Sequence, residues 1–266
     1  MSHTPTDAPH PADGPLPRVG AAPAWRRVAA QVGFETRAIL RNGEQLLVTM
    51  VLPLLLLVGL VRTSIIELDT GGLSRVDFVT PGVLALACVS TAFTSQAIAT
   101  AFDRRNGVLR LLATTPLGRG GLLAGKVGGV LAVEAVQAVA IGAVALALGW
   151  RPAAGGILPA IAVGLLGTAA FTALALLIAG TLRAEGVLAV ANLVLVLLVV
   201  GGGLLVPPDQ LPGPLAHLAA YLPSGALGEA MRGALQGTGV PAVAVVVLAA
   251  WTAVLAWAAA RFFRWQ

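Results

Sequence analysis

Six long apolar stretches follow one another along most of the chain. Each is close to the roughly 20 residues that a helix needs to cross about 30 Å of hydrocarbon. The stretches cover 46–66, 78–101, 122–148, 157–182, 187–206 and 240–260. The fifth carries no charged residue, and only a charged pair beside a glycine, within 183–186, separates it from the fourth. The pattern predicts six transmembrane helices, with a tight turn between the fourth and the fifth.

Residues 25–44 have a different pattern, with apolar and polar side chains on opposite sides of a helix. The apolar side carries Trp25, Val28, Ala29, Val32, Ile39 and Leu40, and the other side carries Arg26, Arg27, Gln31, Glu35 and Arg41. This predicts an amphipathic helix on the membrane surface, with Trp25 at headgroup depth and its arginines facing anionic lipid. Residues 1–24 are rich in proline and small polar residues and lack a signal-peptide core, so they are predicted to be a disordered tail.

The stretch 207–237 fits neither a span nor an ordinary loop. Leucines at helical spacing suggest one short helix, a proline ends it, and a serine is placed to cap a second: Leu211, Leu215, Leu218, Leu222, Pro223 and Ser224. Irregular backbone at membrane depth is tolerated only where protein or a watery cavity satisfies it. We therefore expect two short interfacial or re-entrant helices that cap the outer end of a pathway.

The composition supports a bilayer as the main solvent. Hydrophobic residues make up 57% of the chain, charged residues 11%, and the mean hydropathy is +0.88. Too little polar surface remains to cover a water-soluble globule. The net charge of +5 does not indicate nucleic-acid binding, because the basic residues lie between apolar runs rather than on one polar face. The predicted fold class is an all-α polytopic membrane protein.

The basic residues predict the orientation of the spans. An even number of spans places both termini on one side, and that side holds most of the 17 basic residues. The opposite side keeps only Arg62, Arg75, Arg151 and Arg232. By the positive-inside rule, both termini are predicted to be cytoplasmic.

Several kinds of chemistry are excluded or left without support. Residues 120–126 read G-x-x-x-x-G-K, but Val127 stands where a phosphate-binding loop needs Ser or Thr, and no strand precedes it. No serine has an evident base nearby, and no spacing of metal ligands is present. Cys88 is alone and is expected to be a small buried side chain. We predict no catalytic residue, no metal site and no bound cofactor, so any ATP and magnesium belong to another subunit.

Polar residues inside the spans are candidates for a substrate pathway. Glu134 lies deep in the third span with Gln137 one turn later, and a carboxylate there faces a bundle interior or a watery cavity. Glu134 either contacts a cationic substrate or forms a structural hydrogen bond to a neighbouring helix. Thr94 and Gln96 belong to a polar cluster in the second span that either lines the passage or helps helices to pack.

The segment 102–119 between the second and third spans is the most informative part of the sequence. Asn106 is placed to cap a short helix, on which Leu109 and Leu112 form an exposed apolar edge. Charged residues surround this helix and Pro116 ends the segment. An amphipathic helix that exposes leucines predicts a docking element. The alternative is a membrane-resting loop with ordinary positive-inside charge.

This segment resembles the coupling loop of the ABC-2 type permeases. The matching residues are Leu111, Leu112, Ala113, Thr115, Pro116 and Leu117, followed by Leu123, Gly125 and Lys126. Asp103 replaces a common glutamate, and Asn106 and Val108 replace a more usual charged residue and threonine. The surface helix, the six spans and the outer segment, which ends in Glu229, Ala230, Met231 and Arg232, also fit the family, so 45–266 is predicted to be one transmembrane domain.

The resemblance implies a function and a set of partners. ABC-2 permeases form the membrane pathway of exporters, pair with a second permease copy or a relative, and are driven by a separate ATP-binding cassette subunit. Contact with that ATPase is expected at Asp103, Arg104, Arg105, Gly107, Leu109, Arg110, Leu112 and Pro116. The sequence of the loop favours a drug-resistance or daunorubicin-type exporter in the inner membrane. Related permeases move polysaccharides or lipid-linked molecules.

Two rival functions remain. An ion-gradient-driven secondary transporter would use Glu134 as its ion site and would work without an ATPase subunit. A membrane enzyme would need convergent polar groups, which the sequence does not present.

Overall fold

Every regular element in the described part of the chain is helical. The computed structural model describes residues 22–63 and 69–263. The helices are α1 (Ala24–Arg41), α2 (Leu47–Arg62), α3 (Arg75–Arg105), α4 (Val108–Ala113), α5 (Gly118–Ala147), α6 (Ile157–Thr181), α7 (Ala184–Gly201), α8 (Pro214–Tyr221), α9 (Pro223–Leu235) and α10 (Ala242–Phe262). A single turn, Gly43–Leu46, leads into α2.

The apolar stretches became helices of about the predicted extent. In the described part of the chain, α3, α5, α6, α7 and α10 are long and apolar enough to cross a membrane. The first predicted span is represented by the shorter apolar helix α2, and residues 64–66 of that prediction lie outside the described residues. The prediction of an all-α polytopic membrane protein is confirmed. We number α2, α3, α5, α6, α7 and α10 as the first to sixth spans.

The turn between the fourth and fifth spans is tighter than predicted. Helix α6 ends at Thr181 and α7 begins at Ala184, so Glu185 already lies in the first turn of α7. The fifth span ends earlier than predicted, at Gly201. Gly203, just beyond it, has a φ of +76°, a conformation that glycine adopts without steric cost.

The second span is the centre of the bundle. In α3, 89% of the most apolar stretch is buried inside the protein, compared with 28% in α5 and 22% in α10. The other spans therefore bury one side against the protein and leave the rest for lipid or for a partner subunit. Polar residues on α3 are consequently in contact with neighbouring helices.

Two segments of π-helix interrupt the first and second spans. Leu47–Val51 begins α2, Ser90–Ser95 lies within α3, and the two segments contact each other. Such segments are rare and occur mainly inside longer helices, frequently at functional sites. Pro53 contributes to the first one because it has no N–H to donate to the carbonyl of Thr49, four residues earlier.

The outer segment forms two short helices that meet at the predicted proline. Pro223 opens α9 and Leu222 is its N-cap, so the prediction that Ser224 caps this helix is wrong. A proline suits this position because the first N–H groups of a helix have no intrahelical partner. Helix α9 is buried along nearly its whole length against α3, α6 and α10. The guanidinium of Arg232 on α9 is buried as well, which means that this residue is no marker of topology.

Candidate functional site

The surface helix α1 packs on a row of glycines at the start of the third span. A Cβ atom on Gly129 would lie 2.6 Å from the Cβ of Glu35, and one on Gly125 would overlap Gln31. Only glycines allow the two backbones to approach this closely. The sequence placed Gln31 and Glu35 on the outer polar side of α1, and this expectation is wrong because both are buried against the third span. Trp25 is exposed, as a headgroup-level residue must be.

Three charged side chains meet where α1, α3 and α5 come together. The Lys126 ammonium lies 2.7 Å from Asp103 Oδ2 and 3.2 Å from Glu35 Oε1. Gln31 Nε2 also donates to Glu35 Oε1, at 2.8 Å. Lys126 is only 2% exposed, so it is a buried partner of two carboxylates. We call Glu35, Asp103 and Lys126 the ionic cluster.

The two arginines that follow Asp103 bind the turn between the fourth and fifth spans. Arg104 donates one guanidinium N–H to the carbonyl of Gly180, at 2.6 Å, and another to the carbonyl of Leu182. These carbonyls belong to the C-terminal end of α6, where backbone acceptors lack intrahelical donors. Arg105 forms an ion pair with Glu185 in the first turn of α7. Both arginines were expected to contact the partner ATPase. They bind this turn of their own chain, and their contact with a partner stays a prediction.

The coupling segment, residues 102–119, contains the short helix α4. Asn106 ends α3 rather than capping α4, and Gly107 takes the N-cap position with a φ of 75°. The prediction that Leu109 and Leu112 form an exposed apolar edge is also wrong. Leu109 is 2% exposed and Leu112 is half-buried, whereas Leu111 is 68% exposed. The apolar residue that α4 presents outward is therefore Leu111.

The remaining predicted contacts of the coupling segment are divided between the outside and the chain itself. Arg110 is exposed next to Leu111. The carbonyl of Pro116 accepts a hydrogen bond from the guanidinium of Arg27 on α1. The surface helix thus holds the segment at its end, and the ionic cluster holds its beginning.

Glu134 forms a hydrogen bond to the fourth span. Thr168 Oγ1 on α6 donates to Glu134 Oε2 at 2.6 Å, and Cys88 Sγ on α3 lies 3.5 Å from the same hydroxyl. Within the described part of the chain, Glu134 Oε1 is buried and has no hydrogen-bond partner. The structural alternative for Glu134 is therefore realised, and one carboxylate oxygen is left for another role.

Gln137 joins the two π-helical segments. Its Oε1 accepts from Thr91 Oγ1 of α3 at 3.0 Å, and its Nε2 donates to the carbonyl of Thr49 on α2. The Thr49 carbonyl is the one that Pro53 leaves without an α-helical donor. The sequence placed Gln137 on a pathway, but it missed this role. A proline in the middle of an apolar span was the available signal.

The two other pathway candidates lie in the interior of the bundle. Gln96 Nε2 donates to Thr100 Oγ1 one turn later in the same helix, at 3.1 Å. Thr94 is buried, and within the described residues its hydroxyl has no hydrogen-bond partner. Both therefore face neighbouring helices of this chain. Their part in a substrate passage stays a prediction.

The helical architecture, with a short helix held between two spans, is that of a polytopic membrane protein. A family model described as ABC-2 type transporter matches residues 28–236, which include the surface helix, the coupling segment and five spans. The chain belongs to the ABC-2 type transporter family. This membership does not favour a transporter driven by an ion gradient. No match was found among curated proteins.

Proposed function

We propose that this chain is the permease subunit of an ATP-binding cassette exporter whose ATP and magnesium are bound by a separate ATPase. Two permease subunits, identical or related, would together enclose the pathway. The chain would lie in the inner membrane with both termini in the cytoplasm, as the distribution of basic residues favours. It would itself catalyse no reaction.

The observation that carries this proposal is the exposed face of α4. Leu111 stands out from the protein beside Arg110 and Thr114, which are also exposed. An exposed leucine on a short helix between two spans is suited to a pocket on a partner protein. The arginine at its side would orient the partner more than it would add affinity.

The proposed substrate class is drug-like, as in the drug-resistance or daunorubicin-type exporters. The similarity of the coupling segment supports this assignment, and a buried carboxylate oxygen at Glu134 is consistent with a cationic substrate. Lipid-linked molecules and polysaccharides are the alternatives within the family. An efflux assay with cationic dyes in cells that overproduce both subunits separates these classes, because only a drug exporter would clear the dyes.

The docking proposal is tested by changing Leu111. Burial of one leucine contributes about 1.5–3 kcal/mol, so Leu111→Asp should weaken binding of the ATPase by about 10-fold or more. An ATP-binding cassette protein from a neighbouring gene is the candidate ATPase, to be co-expressed and captured through a tag on the permease. Leu111→Met is the matched control, because it keeps an apolar side chain of similar volume.

We expect the methionine variant to retain the ATPase and the aspartate variant to lose it, with both inserted normally in the membrane. Equal recovery of the ATPase with both variants would contradict docking through this face. The variant Leu109→Asp, by contrast, should reduce folded protein, because Leu109 is buried.

A further inference from the structure

We propose that the consecutive residues Asp103, Arg104 and Arg105 are positioning residues that make the coupling segment move as one body with the surface helix and the third to fifth spans. This inference rests on the proposed function and extends it. The partner ATPase would push on α4, and these three side chains would carry the displacement to four other helices of the permease.

The first link runs from the second span through Lys126 to the surface helix. Asp103 is 2.7 Å from the Lys126 ammonium, which also contacts Glu35. Lys126 is buried. The row of glycines lets α1 approach closely enough for the Glu35 carboxylate to reach the Lys126 ammonium. One ammonium therefore ties the end of α3, the start of α5 and the middle of α1 together.

The second link runs in the opposite direction, to the turn between α6 and α7. Arg104 donates hydrogen bonds to two carbonyls of this turn, those of Gly180 and Leu182. Arg105 adds an ion pair to Glu185, but both side chains of this pair are largely exposed, so water screens it. Arg104 is therefore the principal anchor on this side.

The short helix α4 needs such anchors. It has six residues, too few for a helix to hold its own shape or direction in water. Its position is fixed at one end by the continuation from α3 and at the other by the bond from Arg27 to Pro116. Leu109 is buried and α4 also contacts α5. A force on α4 therefore reaches α3 and α5 directly, and α1 through the bond from Arg27.

The charges themselves indicate a positioning role rather than a stabilising one. Apolar residues of similar volume often replace a buried ion pair without loss of stability, whereas removal of one partner leaves an unpaired buried charge. A neutral set of side chains would keep α1 packed on the glycines. What the ions add is a fixed relative position of three helices.

Spin-label distances test the proposal in the full chain in nanodiscs. The native cysteine is replaced (Cys88→Ser), and labels are placed at the exposed positions 37 on α1 and 114 after α4. The test variant combines Glu35→Gln, Asp103→Asn and Lys126→Met, which removes all three charges together. The matched control is Arg41→Gln, which removes an exposed charge from α1 outside the ionic cluster.

The unmodified chain and the control should give one narrow distance between the labels, and ATP bound to the co-purified ATPase should not change it. In the triple variant the distribution should widen even without the ATPase. With the ATPase bound, addition of ATP should change the distance between positions 37 and 114 in the triple variant. The factor by which ATP binding shifts the position of the surface helix should fall about 10-fold.

Distances in the triple variant equal to those of the control, with and without ATP, would overturn the proposal. A lower melting temperature with unchanged distances would do the same, because it would show a structural role only. Failure of the proposed function is recognised separately, since the unmodified chain would then recover no ATPase while the distances measured without ATPase would still test the links.

Arg104 is tested on its own side of the segment. Arg104→Met with labels at positions 114 and 181 should widen that distance, while the distance between 37 and 114 should stay narrow. If both distances respond to each variant equally, the two links are not separate and the assignment of one residue to each side is wrong.

Discussion

Replacement of Gln137 by methionine tests the bridge between the two π-helical segments. Methionine fills a similar volume but makes neither of the two hydrogen bonds of the amide. Thr49 is the critical partner, because Pro53 denies its carbonyl the usual α-helical donor. Gln137→Met therefore leaves a buried carbonyl without this donor and loses the bond from Thr91.

The size of the effect follows from these contacts. Hydrogen bonds between spans contribute about 0.6 kcal/mol on average and up to about 1.7. An unsatisfied buried acceptor costs about 1–3 kcal/mol. We expect a total loss of about 2–3 kcal/mol, or a melting temperature lower by about 4–10 °C.

Gln96 provides the matched control. It is also a buried glutamine in a span, but its amide bonds only to Thr100 of the same helix. Gln96→Met should therefore lower stability by less than about 1 kcal/mol. Tryptophan fluorescence of the purified chain in nanodiscs follows the melting of both variants. Equal shifts for the two would refute the bridging role of Gln137.

Three further predictions use single substitutions. Gly129→Ala should displace the surface helix and lower the melting temperature, whereas Gly142→Ala, on an open part of the same span, should be neutral or slightly stabilising in the same measurement. Glu134→Gln should leave the yield of folded protein unchanged, because an amide oxygen still accepts from the neighbouring hydroxyl, and should reduce efflux of cationic dyes; normal efflux would limit the residue to helix contact. In a background without the native cysteine, Arg151→Cys should react with an impermeant thiol reagent in intact cells and Arg110→Cys should not, and the reverse result would invert the topology.

The spans were predictable because burial in lipid determines composition over some 20 residues at a time. The faces of shorter elements were not. For α1, periodicity assigned Gln31 and Glu35 to the side opposite Ile39, yet all three are buried, so it did not tell which side faces protein. The glycines Gly125 and Gly129 carried that information, since a row of glycines on one face of a span indicates close approach by another helix.

The coupling segment shows the same limit at a smaller scale. Six residues make fewer than two turns, so no periodicity distinguishes Leu109 from Leu111 as the exposed leucine. The outcome depends on how Gly107 directs the chain out of α3. The contacts of Arg104 and Arg105 could not be predicted from the sequence either, because their acceptors lie some 80 residues further along the chain.

The π-helical segment Ser90–Ser95 has a mechanical consequence for the end of the second span. Its wider turn takes up about one residue more than α-helical geometry would. Should this turn tighten to α-helical form, everything beyond it would rotate by about 100° about the helix axis and advance by about 1.5 Å. Asp103 and Arg104 lie on the rotating part, so such a screw motion in mid-membrane would point both side chains away from their present partners.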